Sequence, residues 1–147
     1  MLRSRRLRYV SFATGLASIL MLLAACSGGG SDKGTAVPII EKDFSMTATR
    51  STVATGKVTF DVENQGPSTH EFVVIRTDAA ADQLPFDNGS SEVNEDDSSL
   101  QHVDEVEDIT PGKSKKLTVD LQPGHYVFIC NLPGHYHQGM HFDFTVS

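Results

Sequence analysis

From residue 56 onward, apolar and polar positions alternate with a period of two along most of the chain. Val58, Phe60 and Val62 alternate with Lys57, Thr59, Asp61 and Glu63, as in a strand with one buried face. Leu117, Val119 and Leu121 repeat the pattern within residues 115–121. In residues 126–130, Tyr126, Phe128 and Cys130 share one face while Val127 and Ile129 share the other. Residues 70–76 and 141–146 read as further strands. Gly/Pro turns punctuate the series at Asn64-Gln-Gly-Pro67, Thr110-Pro-Gly112, Gln122-Pro-Gly124 and Pro133-Gly134. Upstream, Val37, Ile39 and Phe44 stand among charged residues and predict one or two short strands over 36–48. The Thr/Ser-rich residues 47–55 either extend a strand or run as a loop. Together these elements predict an all-β Greek-key sandwich of about seven to eight strands.

Residues 77–108 break the alternation. Ala79-Ala-Ala-Asp-Gln-Leu84 has the composition of a short helix ending before Pro85. Residues 87–108 hold nine acids and no Lys or Arg. They lack the oxygen-ligand spacing and central Gly of an EF-hand loop. The stretch at about 78–108 therefore reads as an acidic, solvated insertion. A partner-docking patch, or a weak secondary cation site using His102, is the alternative.

The N-terminal end reads as an export segment. Arg3, Arg5, Arg6 and Arg8 precede 16 apolar or small residues at 10–25, a basic n-region followed by a short h-region. That run is shorter than the roughly 20 apolar residues that a membrane span requires. Leu23-Ala-Ala-Cys26 resembles the bacterial lipobox, in which the Cys is lipidated. Ser4-Arg5-Arg6 also resembles part of a twin-arginine signal, although Arg8 and Tyr9 stand where that pattern prefers apolar residues. The expected organisation is a signal peptide at 1–25, a lipidated Cys26 with a Gly/Ser-rich tether to residue 35, and one domain at 36–147. That arrangement places the domain outside the cytoplasmic membrane, in the periplasm or at the cell exterior. Removing the four arginines of the signal from the 12 basic residues leaves eight against 19 acids, a net charge of −11. Such a domain should not bind nucleic acid, and it suits basic partners.

Two cysteines occur. With Cys26 acylated, Cys130 has no partner for a disulfide, and a lone thiol in an exported chain needs a reason. Metal ligation supplies one. Cys130, His135 and Met140 follow one another at Cys-x4-His-x4-Met in a segment turned by Pro133, Gly134 and Gly139. A thiolate, an imidazole and a thioether suit a soft metal, copper above others. His70 opens a strand just past a Gly-Pro turn and is the candidate second imidazole.

The Cys-x4-His-x4-Met motif, Pro-Gly before its His, and the preceding Tyr-x-Phe-x-Cys resemble the cupredoxin (plastocyanin/azurin-like) family over residues 36–147. Asn64-x-Gly66-x3-His70 is similar to the region around that family's first copper histidine. The resemblance implies one type 1 copper ion, with Cys130, His70 and His135 equatorial and Met140 axial. It implies single-electron transfer between redox protein partners, with His135 as the exit and Leu132, Pro133, Tyr136 and Pro67 as an apolar rim. A monomer is expected. Plastocyanin-like sequences usually place an Asn, linking the two ligand loops, where Glu71 stands here. His135-x-His137 resembles part of a multicopper oxidase motif, but the further pairs and the intervening Cys are missing. His125, His137 and His141 read as surface residues, with an accessory copper role open for His137 and His141. No Ser/His/Asp grouping, nucleotide loop or open zinc motif points to an enzyme. The competing function is a copper carrier or buffer outside the membrane, using the same ligands.

Overall fold

The structure is a computed structural model and describes residues 34–147 apart from Asn88; the segment holding Cys26 lies outside the described residues. Nine strands appear among these residues: β1 (Thr35–Lys42), β2 (Ser45–Ala48), β3 (Thr52–Val53), β4 (Gly56–Asn64), β5 (His70–Arg76), β6 (Gln101–Ile109), β7 (Ser114–Leu121), β8 (Gly124–Ile129) and β9 (His141–Val146). They form a four-stranded sheet, β2-β1-β4-β7, and a five-stranded sheet, β3-β9-β8-β5-β6. The chain changes sheet at β2–β3, β3–β4, β4–β5, β6–β7 and β7–β8. The β1–β4 and β3–β9 pairs are parallel; the other pairs are antiparallel. The all-β sandwich is the predicted class, and β6, within the stretch read as an insertion, is the unexpected strand. Among the described residues no helix is long and apolar enough to cross a membrane.

The alternation seen in sequence decides which side chains meet between the sheets. In the antiparallel β4–β7 pair, Val58 lies opposite Val119 and Phe60 opposite Leu117, and with Val62 and Leu121 these residues are buried on the sheet's inner face. Phe60, Phe72, Phe128 and Phe144 pack at the centre with ring centroids 4.7–5.8 Å apart. Tyr126, Phe128 and Cys130 belong to this main core.

The opposite faces of β5 and β8 are buried too. Val73, Ile75, Val127 and Ile129 form a second cluster with Ala81, Leu84, Val93 and Tyr136. Residues 79–100 are therefore a cover over the outer face of the five-stranded sheet, and the reading of 78–108 as solvated is corrected. Its last part is strand β6, paired with β5 at the sheet edge. The helix expected at 79–84 is a turn, closed by Gln83 N–H donating to Ala80 O at 2.9 Å. Its other amides are claimed elsewhere: Ala81 N–H donates to Asp143, and Leu84 N–H to the Tyr136 hydroxyl. Pro85 also disfavours a helical Leu84.

Candidate metal centre

β5 and β8 are neighbours in one sheet, with Val73 opposite Ile129. His70 opens β5 and Cys130 follows β8, so antiparallel pairing brings both to the same end of the sandwich. His70 Nδ1 lies 3.9 Å from Cys130 Sγ. His135 Nδ1 lies 3.3 Å from that sulfur and 3.3 Å from His70 Nδ1. Three donors bonded at about 2.0–2.3 Å to one first-row ion sit roughly 3.5 Å apart in a trigonal array. The three residues fit a single ion.

The loop between Cys130 and β9 holds its own shape. Cys130 N–H donates to Met140 O at 3.0 Å, Met140 N–H to His135 O at 3.1 Å, and His135 N–H to Leu132 O at 2.9 Å. A single 3₁₀ turn, Tyr136–Gln138, ends at Gly139 with φ 111°, a left-handed value that favours glycine. Met140 is fully buried in the same core cluster as Cys130. A thioether therefore accompanies the Cys130 sulfur and the two imidazoles.

The family comparison coincides with this geometry. A family model described as a cupredoxin-like domain matches residues 15–141. This chain belongs to the cupredoxin-like family. No curated protein matches it. Among solved structures, it is similar to dithionite-reduced auracyanin from the photosynthetic bacterium Roseiflexus castenholzii, at 24% identity and TM-score 0.55, covering 78% of this chain and 98% of that one. Auracyanin A, a "blue" copper protein from Chloroflexus aurantiacus, matches at 16% identity and TM-score 0.54, covering 78% of this chain and 99% of that one. Rusticyanin from Thiobacillus ferrooxidans matches at 16% identity and TM-score 0.54, covering 78% of this chain and 79% of that one. At these identities the likeness is one of fold.

In this cupredoxin, the groups around the donors set their protonation. Burial pushes the Cys130 thiol up to about 12, with the charges of Glu41 and Glu71 adding to it and the backbone N–H groups of Glu71 and Leu132 opposing. The free thiol thus keeps its proton at neutral pH, and a bound cation has to displace it. Burial holds the His70 imidazole below its ordinary value, helped by His135 and opposed by Asp43. Neutral His70 presents one ring nitrogen as donor and one as acceptor. Its Nε2 lies 3.0 Å from Asp43 Oδ1, so an Nε2–H donated there leaves the Nδ1 lone pair facing Cys130 and His135. Such a carboxylate partner fixes the tautomer and the ring of a metal-binding histidine.

Asp43 escaped the sequence reading. It lies in the two-residue loop joining β1 to β2, where only its distance from His70 in space distinguishes it from a solvated acid. The Ser68 hydroxyl donates to its Oδ2 at 2.6 Å; that bond leads the causes holding its carboxyl below the usual range. Asn64 shapes the intervening loop. Its Nδ2 donates to Ser68 O at 2.7 Å and Ile109 O at 2.6 Å, and its Oδ1 accepts from Gly66 N–H at 2.8 Å.

The expected apolar rim is corrected at one position. Pro67 and Pro133 are exposed and Leu132 is half-buried, but Tyr136 is buried in the second cluster. The 3₁₀ turn points its ring inward, where its hydroxyl meets Leu84. Phe44 is the exposed large apolar residue beside the site, 41% exposed. Its ring stands edge-on to His135 with centroids 5.6 Å apart. The remaining histidines lie outside the donor cluster. His137 stacks on Phe86, His141 packs against Tyr136, and His125 contacts Thr77 and Asp143 at the start of β8.

Proposed function

We propose that this cupredoxin is a type 1 copper protein that passes single electrons between redox partners. In this reading it is tethered outside the cytoplasmic membrane through lipidated Cys26. The observation that carries the proposal is the convergence of His70 Nδ1, His135 Nδ1 and Cys130 Sγ within 3.9 Å of one another. Met140 is buried beside them. Copper, when bound, supplies a one-electron couple in such a thiolate–imidazole set.

The chain's own residues account for the rest. Cys130, His70 and Met140 have no exposed surface, so the sandwich excludes water from these three donors. The hydrogen bonds joining Cys130, His135 and Met140 hold the loop in one arrangement, which limits rearrangement when charge changes. His135 alone of the donors is half-exposed, which suits it to pass electrons to a docked partner. A net charge of −11 after processing favours basic partner faces. A carrier has to release its ion by ligand exchange; burial of three donors disfavours that role.

The test is an absorption spectrum of the oxidised, copper-loaded protein. An intense visible thiolate-to-copper band is expected, with reversible voltammetry, and Cys130→Ser should remove the band while the sheet signal in circular dichroism persists. Binding only as colourless Cu(I), readily taken by a chelator, would sink the shuttle and leave the carrier.

A further inference from the structure

Away from the copper ligands, Glu95, His102 and Glu105 form a second group of donors, one ligand atom of each lying within 4.8 Å of the others. His102 Nε2 is 3.5 Å from Glu95 Oε2 and 3.5 Å from Glu105 Oε2. The strand register explains how this group assembles. Residues three apart on a regular strand point to opposite faces. In β6, however, Ile75 pairs with His102 while Val74 pairs with Asp104, so Val103 is an extra residue. The bulge re-aims the side chains and brings His102 and Glu105 together.

Glu95 comes from the cover segment and is held from outside the group. Asn131 Nδ2 donates to Glu95 Oε1 at 2.7 Å, leaving Oε2 to face His102. Asn131 is itself fixed by Val93, whose N–H donates to its Oδ1 at 2.6 Å and whose carbonyl accepts from its Nδ2 at 3.0 Å. His102 is the one basic side chain in residues 87–108.

We propose that Glu95, His102 and Glu105 form a surface site for a divalent transition cation, with Zn²⁺ as the best fit. One imidazole and two carboxylates suit a borderline ion, whereas Ca²⁺ and Mg²⁺ prefer larger all-oxygen sets. The three side chains are 27–38% exposed, so the ion enters from solvent and water completes its shell. On binding, His102 exchanges two carboxylate contacts for the metal, and the metal relieves the crowding of acids. The site does not depend on copper binding at Cys130.

Zn²⁺ titration of the full chain, followed by residue-assigned NMR of the histidine rings, separates the two sites. The His102 ring should shift and saturate at one equivalent for this site, independently of any event at His70 and His135. His102→Gln should abolish that event alone. Glu105→Gln should weaken it by about tenfold or more, the scale on which even outer-shell partners act. Ca²⁺ at the same concentration should leave the ring unmoved. An unmoved His102 ring in Zn²⁺, an affinity unchanged by Glu105→Gln, or an equal response to Ca²⁺ would each overturn the proposal.

Discussion

Glu71 Oε1 accepts the backbone N–H of Asn131 at 2.8 Å, so the residue after His70 is bonded to the residue after Cys130. Glu71 thus joins the two ligand segments at the position where plastocyanin-like chains usually carry Asn. Removing the acceptor strands a part-buried N–H, at a cost of about 1–3 kcal/mol. Glu71→Ala should lower the thermal midpoint and speed copper loss to a chelator. Glu71→Gln keeps an acceptor oxygen and should stay near the parent in both measurements. Equal damage from the two variants would show that the charge, and not the bond, matters.

Gly66 makes room for the Asp43–His70 contact. A Cβ there would lie 2.5 Å from Asp43 Oδ1 and 3.1 Å from His70 Nε2. Gly66→Ala should push the two apart and free the His70 ring to turn. Loss of an outer-shell partner costs about 10–100-fold in metal affinity. Asp43→Ala should fall in the same range without the clash. Competition with a chelator of known copper affinity measures both, and unchanged affinity in both would remove Asp43 from the site's support.

The same physics explains what the sequence could and could not reveal. Regular strands such as β4, β7 and β8 keep strict alternation and are legible. The pairing of β5 with β8 makes the meeting of His70 and Cys130 readable from the strand ends. β6 is hidden because it is bulged twice. Val103 is one extra residue, and a second lies between Val106 and Ile109, where Asp108 takes a φ of 48°. Its apolar positions, Val103, Val106 and Ile109, therefore recur every third residue and mimic a solvated acidic stretch. The hydrophobic outer faces of β5 and β8 are visible in sequence, but which distant segment covers them is not. Asp43 and Phe44 reach the centre through a tight turn whose local pattern carries no sign of it.

Phe44 combines exposure with a left-handed backbone, φ 43°, a conformation that costs a non-glycine residue roughly 1–2 kcal/mol. Asn tolerates this region better. Phe44→Asn should leave the visible spectrum intact and maintain or slightly raise the thermal midpoint. It should also slow electron self-exchange severalfold if two copies dock through the exposed Phe44 ring beside the half-exposed His135. NMR line broadening in mixtures of oxidised and reduced protein reads that rate. An unchanged rate would place the contact elsewhere.

Glu41 makes stability depend on pH in an unusual direction. Its carboxyl is fully buried at the end of β1, and neither oxygen has a hydrogen-bond partner. Burial pushes its pKa from 4.5 to about 8, with the charge of Glu71 adding to the effect. The folded state therefore holds this proton more tightly than the unfolded chain does. Between pH 4.5 and about 8 the native state binds more protons, so unfolding free energy falls as pH rises through that window. The loss from this group is bounded at about 5 kcal/mol by the size of the shift. Glu71, raised to about 7 mainly by burial, contributes with the same sign. Urea unfolding of the metal-free protein should give a lower midpoint at pH 8 than at pH 5. Glu41→Gln cannot ionise, so it should flatten this dependence and be more stable than the parent at pH 8. A parent midpoint that rises across the window, or a variant with the same slope, would mean that the Glu41 carboxyl reaches water or a counter-charge in the folded state.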